Sequence, residues 1–443
     1  MKFINLFSAI FLVCIFTMTA QTNFTIEGDK KQFSLNFQLI NNLVVIPVEL
    51  NGVKYSFLLD TGVDSTILFS LEERDSLQLK NASKMLFGGM GADQKIEGFK
   101  SEGNTIRIGK AINRNFSFFT VHEGHLDLSY RMGVPIHGII GYDFFKDFII
   151  EFNYLRKKLK VHNPENYNYK NCGSCEDFEL NFYRNKPYLE ANVNIGNGEK
   201  SEINLLIDSG LGDALWLFQD SELNIYIPEP NFKDFLGHGF GGSLYGKRTK
   251  IKEISFGKFT LKMVTSSFPD STYLGDLMSF RHRNGSIGSR ILNRFHSTFD
   301  YPNKRLRLKA NRNFDKPFEY DMSGITVAHS GYSLIKDEHY SVRPGKKDDD
   351  GSQGVPAYTA TTETKYTLQP QYKVVEIRPE SPAQQAGLLP GDIVLSINGK
   401  PTYRLSLSKI NAILRSEEGK RIRLKIKRNN SEKVIVFELK KIL

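Results

Sequence analysis

The 443-residue sequence lacks the features that define several classes of protein. It has one Trp and three Cys, and its 36 Gly and 16 Pro form no low-complexity stretch. Collagen, coiled coils and wholly disordered chains are excluded, because 40% of the residues are hydrophobic and 24% are charged. Beyond the first twenty residues, no segment approaches the roughly 18 apolar residues of a membrane-spanning helix. The length predicts two to four globular domains. The lack of such an apolar segment predicts no stable membrane span.

Aromatic residues and positive charge are both plentiful. The 33 Phe and 19 Tyr favour a strand-rich protein. The net charge is +10, and residues 371–443 hold 15 Lys and Arg against 7 Asp and Glu. A scaffold for anionic surfaces is one interpretation. However, RIRLKIKR (421–428) alternates charged and aliphatic residues as a half-exposed strand does, so we expect solvated strand faces and no nucleic-acid partner.

The first twenty residues, MKFINLFSAIFLVCIFTMTA, have the pattern of a secretory signal peptide. One Lys precedes an apolar run from Ile10 to Phe16, and small residues lead to Ala20. Val13 stands before Cys14, where a lipid-anchored chain would carry a small residue. We therefore expect export to the periplasm, the cell surface or the medium.

The two remaining cysteines, Cys172 and Cys175, lie in the polar run NCGSCED. In an exported chain this C-x-x-C pair favours a local disulfide. Free thiols, a redox motif and a metal site stay open as alternatives. A redox motif normally opens a helix in a βαβ unit, and zinc needs further Cys or His ligands nearby. We expect no metal and no cofactor.

An internal repeat divides the chain. Residues 57–68 read FLLDTGVDSTIL and residues 205–217 read LLIDSGLGDALWL, so in both an apolar run leads into Asp, a small hydroxyl residue and Gly. Downstream, HGIIGYDFFKDFIIEFNYLRKKLKV (137–161) aligns with NGSIGSRILNRFHSTFDYPNKRLRL (284–308) at an offset of 147. Asp before Gly usually only makes a turn, but a triplet and a downstream block repeated at the same separation indicate a shared function.

Two such triplets supply the chemistry of peptide-bond hydrolysis. If Asp60 and Asp208 meet, repulsion between charges about 3 Å apart, roughly 5–6 kcal/mol at an effective dielectric constant near 20, keeps one of them protonated. The ionised acid then takes a proton from a bound water, and the neutral acid donates to the carbonyl oxygen. Both pKa values belong to the pair. The residues predicted to support the two loops, by a hydroxyl or a close backbone N–H, are Thr61, Gly62, Ser209 and Gly210.

These motifs resemble the bilobed aspartyl proteases whose lobes are similar to retropepsin subunits. The resemblance is carried by D-T-G (60–62), D-S-G (208–210) and the elements Ile139-Ile140-Gly141 and Ser286-Ile287-Gly288. It covers about residues 33–310. Ser286 replaces an apolar residue of the family's pattern.

The resemblance implies roles for residues of both halves. Asp60 and Asp208 would be the catalytic pair, and a Gly-rich hairpin of each lobe would close over an extended peptide. Val63 and Leu211 stand where the family commonly has Ala. The implied flap glycines are Gly88, Gly89, Gly91, Gly239, Gly241 and Gly242.

The C-terminal part resembles a bacterial PDZ domain. Residues 381–394, SPAQQAGLLPGDIV, fit the family signature S-P-A-x-x-A-G-L-x-x-G-D-x-I/V. The resemblance implies a module that binds C-terminal or extended peptides by adding a strand to a sheet edge. Alternatively, Gly324 only turns the chain between domains. The predicted carboxylate-binding loop is Ser323, Gly324, Ile325 and Thr326.

The predicted fold is mainly β, with two pseudo-two-fold-related acid-protease β-barrel lobes and a C-terminal PDZ domain. The composition of its polar insertion near 339–364 favours a mobile loop over a packed core. The predicted segments are a signal peptide at 1–20, lobe 1 at 33–162, an inter-lobe connection at 163–185, lobe 2 at 186–310 and the PDZ domain at 317–443.

The sequence thus predicts an exported aspartic endopeptidase that cleaves peptides or unfolded proteins at acidic to neutral pH. Its PDZ domain would capture or orient the substrate. A peptide-binding protein of the same fold, whose lobes no longer cut, is the alternative from a different class.

Overall fold

The computed structural model describes residues 23–28, 30–69, 79–87, 96–121, 128–196, 198–239, 242–274, 283–344 and 358–443. The chain is mainly β, which confirms the predicted fold class. Within these ranges no helix combines the length and apolar character needed to cross a membrane. The proposed signal peptide lies outside the described residues.

The first part of the chain folds into a nine-stranded sheet that curls on itself where β8 pairs with β9. Its strand order is β1-β9-β6-β10-β5-β4-β8-β7, with β3 beside β4. The elements of this part are β1 Thr25–Ile26, β2 Gln32–Asn36, β3 Gln38–Ile40, β4 Leu43–Leu50, β5 Val53–Leu59, β6 Ile67–Leu68, β7 Ser83–Phe87, β8 Ile96–Ile108, β9 Ala111–Val121, α1 Leu128–Met132, β10 Gly138–Ile140, α2 Tyr142–Phe145, β11 Ile149–Asn153 and β12 Lys158–His162.

The second part forms an eight-stranded sheet, β14-β15-β16-β21-β17-β20-β19-β18, which β15 closes by also pairing with β19. Its elements are β13 Cys175–Glu179, β14 Asn181–Tyr183, β15 Lys186–Asn194, β16 Ser201–Asp208, β17 Leu215–Leu217, β18 Asn231–Gly239, β19 Gly242–Phe256, β20 Phe259–Pro269, β21 Gly285–Gly288, α3 Ser289–Leu292, β22 Phe295–Asp300 and β23 Arg305–Ala310, with short 3-10 turns at Pro164–Asn166 and Ser271–Tyr273.

The two parts repeat the same strand register. In the first, β10 lies parallel to β5 with Gly138 opposite Phe57. In the second, β21 lies parallel to β16 with Gly285 opposite Leu205. These are the positions that the sequence repeat aligns, so the repeat is a repeat of structure.

A six-stranded sheet, β13-β23-β22-β11-β12-β2, joins the two parts. At its centre β11 pairs antiparallel with β22, and Glu151 lies opposite Thr298. These two residues are 147 positions apart, which is the offset of the repeat. The pseudo-two-fold axis therefore passes between them. Strand β13 lies within residues 163–185, the predicted inter-lobe connection.

Buried apolar side chains form one cluster that runs through both lobes, from Phe24 to Phe318. A separate cluster, from Tyr320 to Leu439, belongs to the C-terminal part. The two lobes thus share a core, whereas the C-terminal part has its own.

The C-terminal part is a six-stranded sheet with two helices. Ser381 caps the first helix by accepting a hydrogen bond from the Gln384 N–H, and Pro382 occupies its first turn. Ser406 caps the second helix in the same way. The elements are β24 Ile325–Pro344, β25 Tyr358–Ile377, α4 Pro382–Gln385, β26 Ile393–Ile397, β27 Lys400–Pro401, a 3-10 turn Thr402–Arg404, α5 Leu407–Leu414, β28 Arg421–Arg428 and β29 Ser431–Glu438.

The polar insertion differs from the expected loop. Its described residues, 339–344 and 358–364, continue β24 and β25 as a paired ribbon, with Pro344 opposite Tyr358. Two antiparallel strands satisfy each other's backbone groups, so the ribbon can form without a core. Residues 345–357 lie outside the described ranges.

The shared core should dominate stability. Leu159 of β12 is fully buried in the common sheet, whereas Leu368 of β25 is 68% exposed. We expect Leu159→Ala to lower the free energy of unfolding by about 2–5 kcal/mol, because it leaves a cavity. The matched change Leu368→Ala should alter it by less than about 0.5 kcal/mol. Urea unfolding measures both, and equal losses would contradict this assignment of the core.

Candidate active site

Asp60 and Asp208 follow equivalent apolar strands. Asp60 comes directly after β5, with its N–H bonded to the Ile140 carbonyl at 2.9 Å, and Asp208 ends β16. Asp60 is buried and Asp208 is half-buried. The pseudo-two-fold axis brings the two side chains together, and each carboxyl group acts on the pKa of the other.

The glycine of each triplet allows this close approach. A Cβ on Gly210 would lie 2.1 Å from Oδ2 of Asp60, and one on Gly62 would lie 2.9 Å from Cγ of Asp208. Without side chains, the glycine N–H groups reach the carboxylates. The Gly62 N–H donates to Oδ1 of Asp60 at 2.7 Å. The Gly210 N–H lies 3.0 Å from Oδ1 of Asp208 and 3.2 Å from Oδ1 of Asp60, so one donor serves both acids.

The hydroxyls of Thr61 and Ser209 cross between the halves. The Thr61 N–H donates to Oγ of Ser209 at 3.0 Å, and the Ser209 N–H donates to Oγ1 of Thr61 at 2.9 Å. Each hydroxyl in turn donates to a carbonyl of the opposite strand, Thr61 to Ile207 at 2.7 Å and Ser209 to Leu59 at 2.9 Å. We expected these hydroxyls to brace the loops, and the loop that each braces belongs to the other half.

Burial and mutual repulsion set the charge of the acid pair. Burial raises the pKa of Asp60 to about 8, and the negative charge of Asp208 adds to the shift. Burial also raises the pKa of Asp208, but the positive charges of Arg283 and Lys186 oppose that shift. The two cations therefore favour the ionised form of Asp208, whereas the charge of Asp208 favours the protonated form of Asp60.

A contact with Arg283 explains why the polar residue Ser286 stands in an otherwise apolar element. An Nη2 hydrogen of Arg283 is donated to Oγ of Ser286 at 2.7 Å, and Nε lies 3.4 Å from the Gly285 carbonyl oxygen. The guanidinium lies 5.5 Å from the centre of the Phe218 ring. Ser286 thus orients a cation whose field acts on Asp208.

A buried ionic network connects the loop after Asp208 to the long hairpin of the second lobe. Arg248 of β19 donates two hydrogen bonds to Asp213, at 3.0 and 3.3 Å, and one to Asp234 of β18 at 2.8 Å. Asp213 also accepts from Nε1 of Trp216 and from Oγ of Ser267. Burial would raise the pKa of Asp213, but the Arg248 charge keeps that pKa below its ordinary value.

Sequence reasoning missed this network. One signal was available, namely an acid placed between small and apolar residues in LGDALWL (211–217). An Asp in such a run needs a buried partner. Nothing in the sequence indicated that the partner is Arg248, because that pairing depends on how β19 lies over the loop.

Only part of the predicted flaps can be located. Gly88, Gly89, Gly91 and Gly241 lie outside the described residues. Gly239 and Gly242 lie opposite each other at the end of the β18–β19 hairpin. Near that end, Oγ of Ser243 lies 3.4 Å from Nδ1 of His238. Closure of this hairpin over a substrate stays a prediction.

The predicted PDZ loop forms a turn in which two N–H donors are already used. Gly324 has φ +81°, and its N–H donates to Oδ1 of Asp321 at 2.6 Å. The Ile325 N–H lies 3.3 Å from Oγ of Ser323, which itself donates to Asp321. A Cβ on Gly324 would lie 2.1 Å from that of Ser381. Recognition of a carboxylate by this loop stays a prediction, and side-chain oxygens occupy two of its N–H groups.

The C-terminal part contacts both lobes. Oη of Tyr245 in β19 donates to Glu376 at 3.1 Å, and the Phe232 ring packs against that of Tyr320. On the other side, Nδ2 of Asn411 in α5 donates to Asn41 at 3.2 Å. The lobes and the C-terminal part therefore meet at a joint boundary.

Cys172 and Cys175 are joined by a disulfide with a Cα–Cα distance of 5.3 Å, the option that we favoured for this pair. Across the described ranges, no group of three or more His, Cys, Asp or Glu side chains is arranged to hold a metal ion.

Comparison with known families agrees with the two resemblances. Residues 46–144, which include Asp60, match the sequence model of a family described as aspartyl protease. Residues 373–428 match that of the PDZ domain. The chain therefore combines an aspartyl-protease-like part, built as two β lobes, with a C-terminal PDZ domain.

Individual relatives match shorter stretches. The retrovirus-related Pol polyprotein from transposon 412 of Drosophila melanogaster is 33% identical over 129 residues, which are 28% of this chain and 9% of that protein. The carboxy-terminal processing protease CtpB of Bacillus subtilis is 25% identical over 117 residues, 26% of this chain and 23% of that protein. A probable CtpA-like serine protease of Staphylococcus haemolyticus is 36% identical over 63 residues, 14% and 13% of the two chains.

The chain spans less than a quarter of the length of each of these curated relatives. Among solved structures, an aspartic proteinase from Irpex lacteus aligns with 64% of this chain and 98% of its own, at 12% identity and a TM-score of 0.41. That score is too low to support an inference.

Gly210 offers a direct test of the packing at the acid pair. We expect Gly210→Ala to lower the free energy of unfolding by about 1–3 kcal/mol, because its Cβ would overlap the carboxyl group of Asp60. The control is Gly173→Ala, since no atom lies within 4 Å of a Cβ there. Urea unfolding of both variants measures the effect, and equal stabilities would show that the carboxyl group is not held against Gly210.

Proposed function

We propose that this chain is an exported aspartic endopeptidase. Asp60 and Asp208 activate a water for attack on a peptide bond, and the PDZ domain engages the same peptide substrates. The protease and PDZ matches support peptides as the ligand class.

One observation carries this proposal. Two acids, one from each half of a structural repeat, lie side by side and share the Gly210 N–H. Burying two carboxyl groups against each other is costly, because each disfavours the charge of the other. Such strongly perturbed acids are typical of catalytic sites.

The proposed reaction uses the unequal acids. Asp208, which Arg283 and Lys186 favour in the ionised form, accepts a proton from water as the water oxygen bonds to the carbonyl carbon. Asp60 donates its proton to the carbonyl oxygen. The tetrahedral intermediate then breaks its C–N bond, and the amine nitrogen leaves with the proton taken up by Asp208. One hydroxyl group of the intermediate returns its proton to Asp60, which leaves a carboxylic acid product and restores the starting pair.

Two features support export. The first twenty residues have the composition of a signal peptide. The bonded pair Cys172–Cys175 fits an oxidising compartment, where disulfides persist.

Removal of either acid should abolish cleavage. We expect Asp60→Asn and Asp208→Asn each to reduce kcat on an unfolded protein or a peptide library by at least about 10³-fold, because one proton donor or acceptor of the pair is lost. Asp64→Asn is the matched control in the same loop, since Asp64 is exposed. Cleavage that survives in both site variants would reject the acid pair.

The same assay separates the aspartic mechanism from that of the serine protease among the relatives. A fluorophosphonate, which labels an activated serine, should leave the activity unchanged. Inhibition by this probe would assign the reaction to a serine nucleophile instead.

The pH dependence should report the shared proton. Activity should fall as the pH rises through about 8, where Asp60 ionises. Since the pKa in the folded chain lies above its ordinary value of 3.8, ionisation opposes folding, and the contribution of Asp60 to stability is lost between about pH 4 and 8. Asp60→Asn should flatten this decline in urea unfolding curves. Parallel stability curves for the two proteins would contradict the shift.

A further inference from the structure

A cavity of about 540 Å³ lies where the two lobes meet the C-terminal part. Lobe 1 contributes Arg131 of α1, lobe 2 contributes β18 residues and Arg290, and the PDZ domain contributes Gly324, Arg378 and Arg415. Neither Asp60 nor Asp208 lines it. The cavity therefore reaches the loop after Asp208, at Gly212 and Asp213, without including either acid.

Positive charge exceeds negative charge on its walls. Six lining residues are Lys or Arg and four are Asp or Glu. Arg248 binds two of the acids, Asp213 and Asp234. The other two have partners as well, since Asp321 accepts from the Gly324 N–H and Glu376 accepts from Tyr245.

Arg378 has donors that no described group uses. Its side chain is only 5% exposed. Nη1 donates to the Asp321 carbonyl at 3.0 Å, and the guanidinium lies 4.3 Å from the centre of the Phe232 ring. Nε and Nη2 are buried, yet neither has a hydrogen-bond partner among the described residues, and the same holds for Nε of Arg415. Buried charged donors of this kind are costly unless a ligand pairs them.

Arg290 adds a third cation from the protease part. Burial and the positive charge of Arg415 lower its pKa to about 9, so an anion between the two would relieve their repulsion. Arg290 follows Ser289, whose Oγ donates to the Ser209 carbonyl in the acid-pair loop at 2.8 Å. Arg290 in the cavity wall is thus the sequence neighbour of Ser289, which supports the loop of the acid pair.

We propose that this cavity binds a carboxylate of a peptide through Arg378, Arg415 and Arg290, so that the protease part and the PDZ domain hold one ligand jointly. The inference rests on the proposed function only in taking the ligand to be a peptide. Guanidinium groups suit a carboxylate because they present paired N–H donors in its plane. A chain terminus and an acidic side chain offer the same group.

Calorimetric titration of the full-length Asp60→Asn protein, chosen so that peptides stay intact, tests this site. Three N-acetylated peptides of the same neutral sequence are compared: one with a free C-terminal carboxylate, one amidated with a single internal Glu, and one amidated without any acid. We expect the first to bind at least about tenfold more tightly than the neutral peptide. Preference for the Glu peptide instead would support the site and assign the carboxylate to a side chain.

Two arginine variants test whether the peptide binds in this cavity. Arg378→Gln and Arg290→Gln, each added to Asp60→Asn, should weaken binding of the preferred peptide at least about tenfold. The second variant keeps the test valid if the first unfolds, which circular dichroism would reveal. Arg423→Gln, on the exposed face of β28, is the control and should change nothing.

Equal binding of the neutral peptide, unchanged affinity in both cavity variants, or no binding of any of the three peptides would overturn the proposal. These outcomes are independent of cleavage. The cavity proposal can be wrong while Asp60→Asn still abolishes hydrolysis. The cavity can also bind a peptide even if the wild-type chain has no peptidase activity.

Discussion

Mutual repulsion between the carboxyl groups of Asp60 and Asp208 is the constraint on which the rest of this structure depends. Two carboxyl groups this close tend to push their loops apart, because each disfavours the charge of the other. The chain counters that tendency with neutral contacts, because the Thr61 and Ser209 hydroxyls each bond to the opposite loop and the opposite strand. The Gly210 N–H lies between the acids. Since the bonds of both hydroxyls and one bond of the Gly210 N–H cross between the halves, the complete site exists only when both lobes are assembled.

The shared six-stranded sheet supplies that assembly. Its central strands β11 and β22 pair across the pseudo-two-fold axis, and the buried side chains of both lobes form one cluster. Separating the lobes would therefore expose a common core. The energy of that core, rather than the few bonds at the acids, keeps the two acids together.

The two halves have diverged around this symmetric centre. The second lobe has a buried Asp213–Arg248–Asp234 network, and Arg283 lies near Asp208. The same lobe contacts the PDZ domain through Phe232 and Tyr245, while the first lobe contacts it through Asn41. One lobe thus combines the more readily ionised acid with the neighbouring domain, and a ligand between them would act on the loop that holds Asp208.

Much of the site could be predicted, because repeated motifs report on equivalent positions. The spacing of the triplets and of the downstream Gly-x-Ile-Gly blocks was enough to pair Asp60 with Asp208, and the Ser-Pro-Ala signature was enough to find the PDZ domain. Arg248 and Arg283 were missed. Each acts through a partner that is distant along the chain, and no local pattern marks a charge whose partner is brought to it only by folding. The ribbon was missed for the opposite reason, since two polar strands that satisfy each other need no apolar signature.

The sequence by itself determined the mainly β character, the duplication and the acids to be paired, because these follow from local composition and from repetition along the chain. The tertiary structure alone decided which loop each hydroxyl supports, which acid holds the proton more strongly, and how the PDZ domain meets the lobes. Those properties depend on distances between groups far apart in the chain, and burial and charge act through such distances.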